Sequence, residues 1–158
     1  MAKQLVVDPK KCKNCRTCEL VCSFRHFEEF NPRLSNVTVF QYEQASITVP
    51  IMCMQCDEAA CAATCPTGAL TRDANGVITH DANKCIVCKM CVSACPLGNV
   101  SYSPAKRTIH KCDMCDGETW CATYCPSGAI SVVDPNEAPD KKQLAADKMK
   151  ATLEEVQA

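Results

Sequence analysis

All sixteen cysteines of this 158-residue chain fall into four quartets, and none is left over. The first is Cys12, Cys15, Cys18 and Cys22; the second is Cys53, Cys56, Cys61 and Cys65. The third is Cys85, Cys88, Cys91 and Cys95; the fourth is Cys112, Cys115, Cys121 and Cys125. The first and third quartets are spaced x2-x2-x3, the second x2-x4-x3 and the fourth x2-x5-x3. Proline follows the last cysteine in three of them (Pro66, Pro96, Pro126), whereas Ser23 stands there in the first. A pattern that recurs this regularly marks a repeated structural unit. Cysteine at about a tenth of a chain signals a disulfide or metal scaffold.

Spacing and context decide between those two. The run from Cys85 to Pro96 reads C-x2-C-x2-C-x3-C-P, by which bacterial ferredoxins hold [4Fe–4S] clusters, with the fourth cysteine ligating the other cluster of a pair. Three thiols two residues apart wrap one face of a cube. The fourth lies a helical turn further on and points to a different neighbour. Residues 1–9 carry no apolar h-region and no twin-arginine pair, and no run of roughly eighteen apolar residues occurs, so neither a signal peptide nor a membrane span is expected. Disulfide scaffolds belong to oxidising compartments, and zinc sites use other spacings. The expectation is a cytoplasmic chain with four [4Fe–4S] clusters. Only four Phe, three Tyr and one Trp are present, so the core needs an inorganic component. The formal net charge of −1 predicts no nucleic-acid partner. Four oxidised tetrathiolate cubes would take it to roughly −9, because metal-bound thiols are deprotonated.

The flanks repeat as well. A short strand and a turn precede the first quartet (Leu5–Val7, then Asp8-Pro9) and the third (Val77–Thr79, then Asp81-Ala82). A glycine turn and a strand follow the second quartet (Gly68, then Leu70) and the fourth (Gly128, then Ile130–Val133). Asp73-Ala74-Asn75-Gly76 supplies hairpin chemistry between them. The second and third quartets therefore form one module, and the first and fourth pair through the chain ends. With crossed fourth cysteines, one site is Cys12, Cys15, Cys18 and Cys125, and another is Cys112, Cys115, Cys121 and Cys22. The remaining two are Cys53, Cys56, Cys61 with Cys95, and Cys85, Cys88, Cys91 with Cys65. A tandem pairing, first with second and third with fourth, is the alternative.

The expected fold is α+β: two interleaved bacterial-ferredoxin-like modules of short strands and helices in residues 1–135. Module 1 takes residues 4–22 with 104–133, module 2 takes 48–103, and 23–47 is an insertion. The insertion is the most aromatic stretch (Phe24, Phe27, Phe30), and its later half alternates like a hairpin over Val37–Tyr42 and Ser46–Val49. It reads as a lid over the clusters, with a docking surface as the sharper alternative. Residues 136–158 read as a linker and an amphipathic helix over 141–157, opened by the Asp140/Gln143 cap pair. Docked head-to-tail on another copy, that helix would permit a filament.

No GxGxxG loop, P-loop or zinc-protease histidine pair is present, so no catalytic residue is expected. His80 and His110 read as turn or surface residues, and His26 as a packed loop histidine with cluster tuning as the alternative. Asp57, Glu58, Asp113 and Asp116 read as solvated charges. Lys11, Lys13 and Arg16 crowd the first quartet, and Asp113, Asp116 and Glu118 crowd the fourth. Different cluster potentials follow, since charge near a cluster shifts them.

The four quartets and the Cys22-Ser23-Phe24-Arg25-His26 … Asn31-Pro32-Arg33-Leu34-Ser35 insertion resemble the four-cluster iron–sulfur subunits that serve large metalloenzymes. Short length and a compact insertion look most like the small ferredoxin subunit of a tungsten-dependent aldehyde oxidoreductase. The resemblance covers roughly residues 4–133. It implies a non-catalytic wire between a large tungsten or molybdenum pterin subunit and a flavin/NAD-binding subunit or ferredoxin. Subunits of a hydrogenase, a formate dehydrogenase or a carbon monoxide dehydrogenase, and a free diffusing polyferredoxin, are the alternatives. A non-redox nucleic-acid module wants a basic patch with stacking aromatics, and the chain has neither.

Overall fold

A computed structural model of the chain describes residues 3–134. The C-terminal helix expected over 141–157 lies outside them. Eight short strands and four helices alternate. They are β1 (Gln4–Val7), α1 (Thr17–Phe27), β2 (Val37–Tyr42), β3 (Ile47–Met52), α2 (Ala60–Ala63) and β4 (Leu70–Arg72). Then follow β5 (Ile78–His80), α3 (Met90–Ala94), β6 (Val100–Ser103), β7 (Thr108–Lys111), α4 (Trp120–Thr123) and β8 (Ile130–Val133). The class is α+β, as expected.

Each helix carries the third cysteine of a quartet, and proline decides how long it runs. Pro66, Pro96 and Pro126 have no N–H and disfavour helical backbone in the cysteine before them, so α2, α3 and α4 stop after four or five residues. Ser23 imposes no such stop, and α1 continues for eleven residues. The inserted stretch therefore begins as helix, not as loop. Ser23 is fully buried; its hydroxyl donates to the Leu20 carbonyl at 2.9 Å and accepts from the Asn31 N–H at 3.2 Å. Glu28, left-handed at φ 54, ends α1.

The strands form four separate antiparallel pairs: β1 with β8, β2 with β3, β4 with β5, and β6 with β7. Leu5 faces Val132 and Val6 faces Ser131, so the first and last described strands pair. The β4–β5 hairpin turns where expected: Asp73 Oδ1 accepts from the N–H groups of Asn75 and Val77 at 2.9 and 2.8 Å, and Gly76 takes φ +83. The hairpin expected in the later half of the insertion is present as β2–β3, and β6 closes a further local hairpin with β7. A short loop closes at lower entropic cost than a long one, and β6 and β7 are only four residues apart. That hairpin spans the 103/104 position at which the sequence reading divides its two modules.

Two apolar clusters form the interior, and thiols belong to both. One joins Leu5, Val37, Val39, Met52 and Ile130 with Cys18, Cys22, Cys112 and Cys121. The other joins Leu70, Ile78, Val100 and Ile109 with Cys61 and Cys91. Val37, Val39 and Met52 come from the β2–β3 hairpin, which thus packs into the shared core. Glu19 ties it down. Its carboxylate, 3% exposed, accepts from the Val39 N–H at 2.7 Å and lies 3.8 Å from the Arg16 guanidinium. Glu19→Ala would leave the Val39 N–H buried and unpaired, an expected cost of about 1–3 kcal/mol in denaturant unfolding of the metal-loaded protein. Glu19→Gln retains an accepting oxygen and should recover most of that cost. Equal stability of the alanine variant and the parent would show that the bond holds nothing.

Candidate metal centre

The four quartets share one backbone device despite different spacings. The residue before the second cysteine is left-handed in every one: Asn14 (φ 55), Gln55 (φ 46), Val87 (φ 56) and Met114 (φ 61). The residue two before the third cysteine is left-handed in three: Arg16 (φ 55), Lys89 (φ 62) and Thr119 (φ 44). Quartet two has Ala59 there, extended at φ −79. None of these is glycine, and left-handed backbone costs an L-residue roughly 1–2 kcal/mol, with β-branched Val87 and Thr119 the least suited. Such conformations persist where their surroundings over-determine them, characteristically at functional sites. Alternating right- and left-handed residues form concavities of N–H groups that accept anionic groups, those of iron–sulfur sites included.

Around this device the fold gathers cysteines from distant parts of the chain. Cys12, Cys15 and Cys18 line one cavity with Cys125. Cys85, Cys88 and Cys91 line another with Cys65. Cys53, Cys56 and Cys61 line a third with Cys95. The other four, Cys22, Cys112, Cys115 and Cys121, are all buried. Cys115 and Cys121 lie close enough to Cys22 to interact with it electrostatically, and Cys112 with Cys121. The exposed thiols are Cys15 and Cys88, in two different sets. Between sets, Cys112 interacts with Cys53, and Cys121 with Cys18.

Burial, with the neighbouring Glu19 carboxylate next, pushes the Cys18 thiol up to about 12. Burial, with Cys22 next, does the same to Cys121, and burial raises Cys115 to about 11. Thiolates gathered this way require a cation among them, and a coordinating thiol is deprotonated outright by the metal it binds. The fourth cysteines are prepared differently. Burial raises Cys65 and Cys125, but backbone N–H groups beyond the proline outweigh it and both end below the usual thiol value. In Cys22 and Cys95 the sulfur accepts from the N–H of Asn36 and Asn99, each at 3.3 Å. Four-sulfur sets ringed by N–H donors fit an iron–sulfur cube.

Charges around the sets differ from the linear sequence. Arg25 lies 3.4 Å from Asp116 and 3.6 Å from Glu118, and His26 Nε2 is 3.5 Å from Asp113. The acidic crowd at quartet four is thus partly countered from α1, and its contrast with quartet one is smaller than the residue count suggests. His26 sits in the last turn of α1, with Nε2 also 3.7 Å from Cys115 Sγ, so it reaches a thiol and is no loop residue. His110 is not at the surface either. It is 8% exposed, its Nδ1 lies 3.0 Å from Asn36 Oδ1, and its ring meets Phe27 edge-on. Burial, with His26 next, lowers its pKa. His80 is half-buried and lines the Cys65 cavity. Asp113 is more than a solvated charge, since it caps the turn at Met114 by accepting from the Cys115 N–H at 2.8 Å.

Residues 44–135 match the family model of the 4Fe-4S dicluster domain. The chain belongs to that family, and it binds [4Fe–4S] clusters. Its dicluster segment covers quartets two, three and four. Among curated proteins, it is similar to an aliphatic sulfonate oxidoreductase, polyferredoxin-like subunit of Pyrococcus furiosus. The identity is 38% over 88 residues, 55% of this chain and 50% of that protein. It is also similar to the electron transport protein HydN of Escherichia coli, at 33% over 96 residues, 58% of this chain and 54% of that protein. The dicluster chain thus spans about half the length of the curated relatives it matches. Among solved structures, it is similar to a chain of the active site complex BamBC of benzoyl coenzyme A reductase as isolated. The TM-score is 0.50 with 27% identity, over 97% of this chain and 90% of that one.

Three residues that shape the centre give no local signal in the sequence. Glu19 and Gln55 sit inside cysteine motifs, where any residue fits the spacing rule. Arg25 reaches quartet four from ninety-odd positions away. Their roles depend on how the quartets dock, which the spacing does not encode.

Proposed function

We propose that this protein is a non-catalytic electron-transfer subunit that carries electrons through four [4Fe–4S] clusters to or from a catalytic oxidoreductase subunit. The observation that supports the reading is that three cavities are each lined by four cysteines, three from one quartet and one from another, while Cys22, Cys112, Cys115 and Cys121 are all buried. The proposed ligand sets are Cys12/Cys15/Cys18/Cys125, Cys22/Cys112/Cys115/Cys121, Cys53/Cys56/Cys61/Cys95 and Cys65/Cys85/Cys88/Cys91. When bound, each cube supplies one-electron redox chemistry at thiolate-saturated iron. The chain's residues fix the thiols, keep the Cys22/Cys112/Cys115/Cys121 set buried, and aim N–H groups at sulfur.

The proposed order follows the thiol neighbours. The set holding exposed Cys88 is one end, then come the Cys53 and Cys112 sets, and the set holding exposed Cys15 is the other end. The two outer sets are where partners would exchange electrons. The named relatives are a polyferredoxin-like subunit and an electron transport protein, which supports a catalytic partner. The sequence resemblance makes that partner a tungsten or molybdenum pterin subunit, aldehyde-oxidising in the first instance, with a flavin/NAD subunit or ferredoxin at the far end. The two interleaved modules and a cytoplasmic setting belong to the same proposal. Among the described residues, no helix is long and apolar enough to cross a membrane.

The test is anaerobic affinity purification from the native host, with metal analysis and mass spectrometry. Tungsten or molybdenum with a large subunit supports the proposal. Nickel redirects it to a hydrogenase or carbon monoxide dehydrogenase. Iron alone, with no second chain, favours a free carrier and overturns the subunit reading.

A further inference from the structure

Lys111, the last residue of β7, is 6% exposed. Its Nζ donates to the carbonyls of Ile78 and Cys112, each at 2.8 Å, and to Gln55 Oε1 at 3.3 Å. Three N–H groups thus meet three oxygens, as an ammonium requires and as no amine with a lone pair could match. No carboxylate is among these partners. A buried lysine without a carboxylate is rare, because desolvating an unpaired charge is costly. Its position explains what compensates. The side chain lines the cavity of Cys53, Cys56, Cys61 and Cys95, while its own backbone leads directly into Cys112 of the inner, fully buried set. The ammonium therefore lies between the two central thiolate sets, each of which carries net negative charge when it holds its cube.

We propose that Lys111 is a positioning residue that raises the reduction potentials of the two central clusters together, with Gln55 as its bracket. This rests on the four-cluster reading above. Charge next to a cluster is one of the levers on its potential, and a buried charge acts with little screening from salt or solvent. Reduction adds negative charge, so the ammonium stabilises the reduced state. Lys13 and Arg16 at the Cys15 end are exposed, so they are screened and act weakly. Gln55 holds the arrangement rigid. Its Nε2 donates to the Cys112 carbonyl at 2.8 Å, and its Oε1 accepts from the Ile78 N–H at 3.0 Å. The second quartet, the β4–β5 hairpin and the fourth quartet thereby meet at one side chain and one ammonium. The same charge opposes burial at both Cys61 and Cys112.

Two variants test this by redox-titrated EPR at high salt, with iron and sulfide counted in each preparation. Lys111→Gln removes the charge and keeps donors. Gln55→Glu keeps the side chain's size, gives up the Nε2 donor to the Cys112 carbonyl, and sets a carboxylate against the ammonium. Both are expected to lower the same two couples, by about tenfold in the reduced-to-oxidised ratio at fixed potential, ~59 mV for one electron. The other two couples should stay in place, and Lys111→Arg should restore the parent values. Full iron content with all four couples unmoved in Gln55→Glu overturns the role of Lys111. So does a uniform shift of all four. Iron far below about sixteen per chain in the parent protein would instead sink the four-cluster reading itself, so the two failures are distinguishable.

Discussion

Stripped of iron and sulfide, the chain is expected to lose its cooperative unfolding transition altogether. The core explains the size of this effect. Cys18, Cys22, Cys112 and Cys121 belong to one apolar cluster, Cys61 and Cys91 to the other, and among the described residues no aromatic side chain is buried in either. Each hairpin is a separate two-stranded pair, and an isolated pair is marginal at best in water. Nine non-glycine residues in and around the cysteine quartets are held left-handed, at roughly 1–2 kcal/mol each. A metal site absent from the unfolded chain contributes its binding free energy to folding. Thermal circular dichroism on anaerobically loaded and chelator-stripped protein checks it. A stripped chain that melts cooperatively within a few degrees of the loaded one would show that the polypeptide folds unaided.

The second large effect concerns which thiols belong together. Cys125→Ala is expected to extinguish the same couple as Cys12→Ala, although 112 residues separate them, since both line one cavity. Likewise, Cys65→Ala should match Cys85→Ala, and Cys95→Ala should match Cys53→Ala. Each variant should lose about four irons, a quarter of the total, with the non-adjacent couples retained. Should Cys125→Ala match Cys112→Ala, the quartets would hold their own cubes and the crossed sets would be wrong. Should Cys22→Ala match Cys53→Ala, the pairing would be tandem.

Much of this was legible in the sequence because the chemistry requires it locally. The C-x2-C starts, the proline after the fourth cysteine, and the Asp73–Gly76 turn each specify backbone over a few residues, and the structure has them where the spacing put them. The chain-end strands were legible because Leu5–Val7 and Ile130–Val133 were left without nearer partners. What stayed hidden depends on docking between quartets. The β6–β7 hairpin was missed because Ser103-Pro104-Ala105-Lys106-Arg107 lacks the Asn-Gly or Asp-Gly signal of tight turns. The continuation of α1 to Phe27 rests on serine in place of proline at position 23. His110 looked like a surface residue because nothing local reveals that Asn36 and Phe27 of the insertion fold over it. Lys111 looked like any lysine beside a cysteine. Only the convergence of Gln55, Ile78 and Cys112 shows it to be buried.

The central claim is that this chain holds four cubes on sixteen thiolates. Quantifying iron and acid-labile sulfide in anaerobically prepared protein, with stepwise reduction followed by EPR, tests it most directly. The account predicts about sixteen of each per chain and four one-electron couples, with no cysteine open to alkylation under native conditions. About eight of each, with two couples and a set of alkylatable thiols, would contradict it.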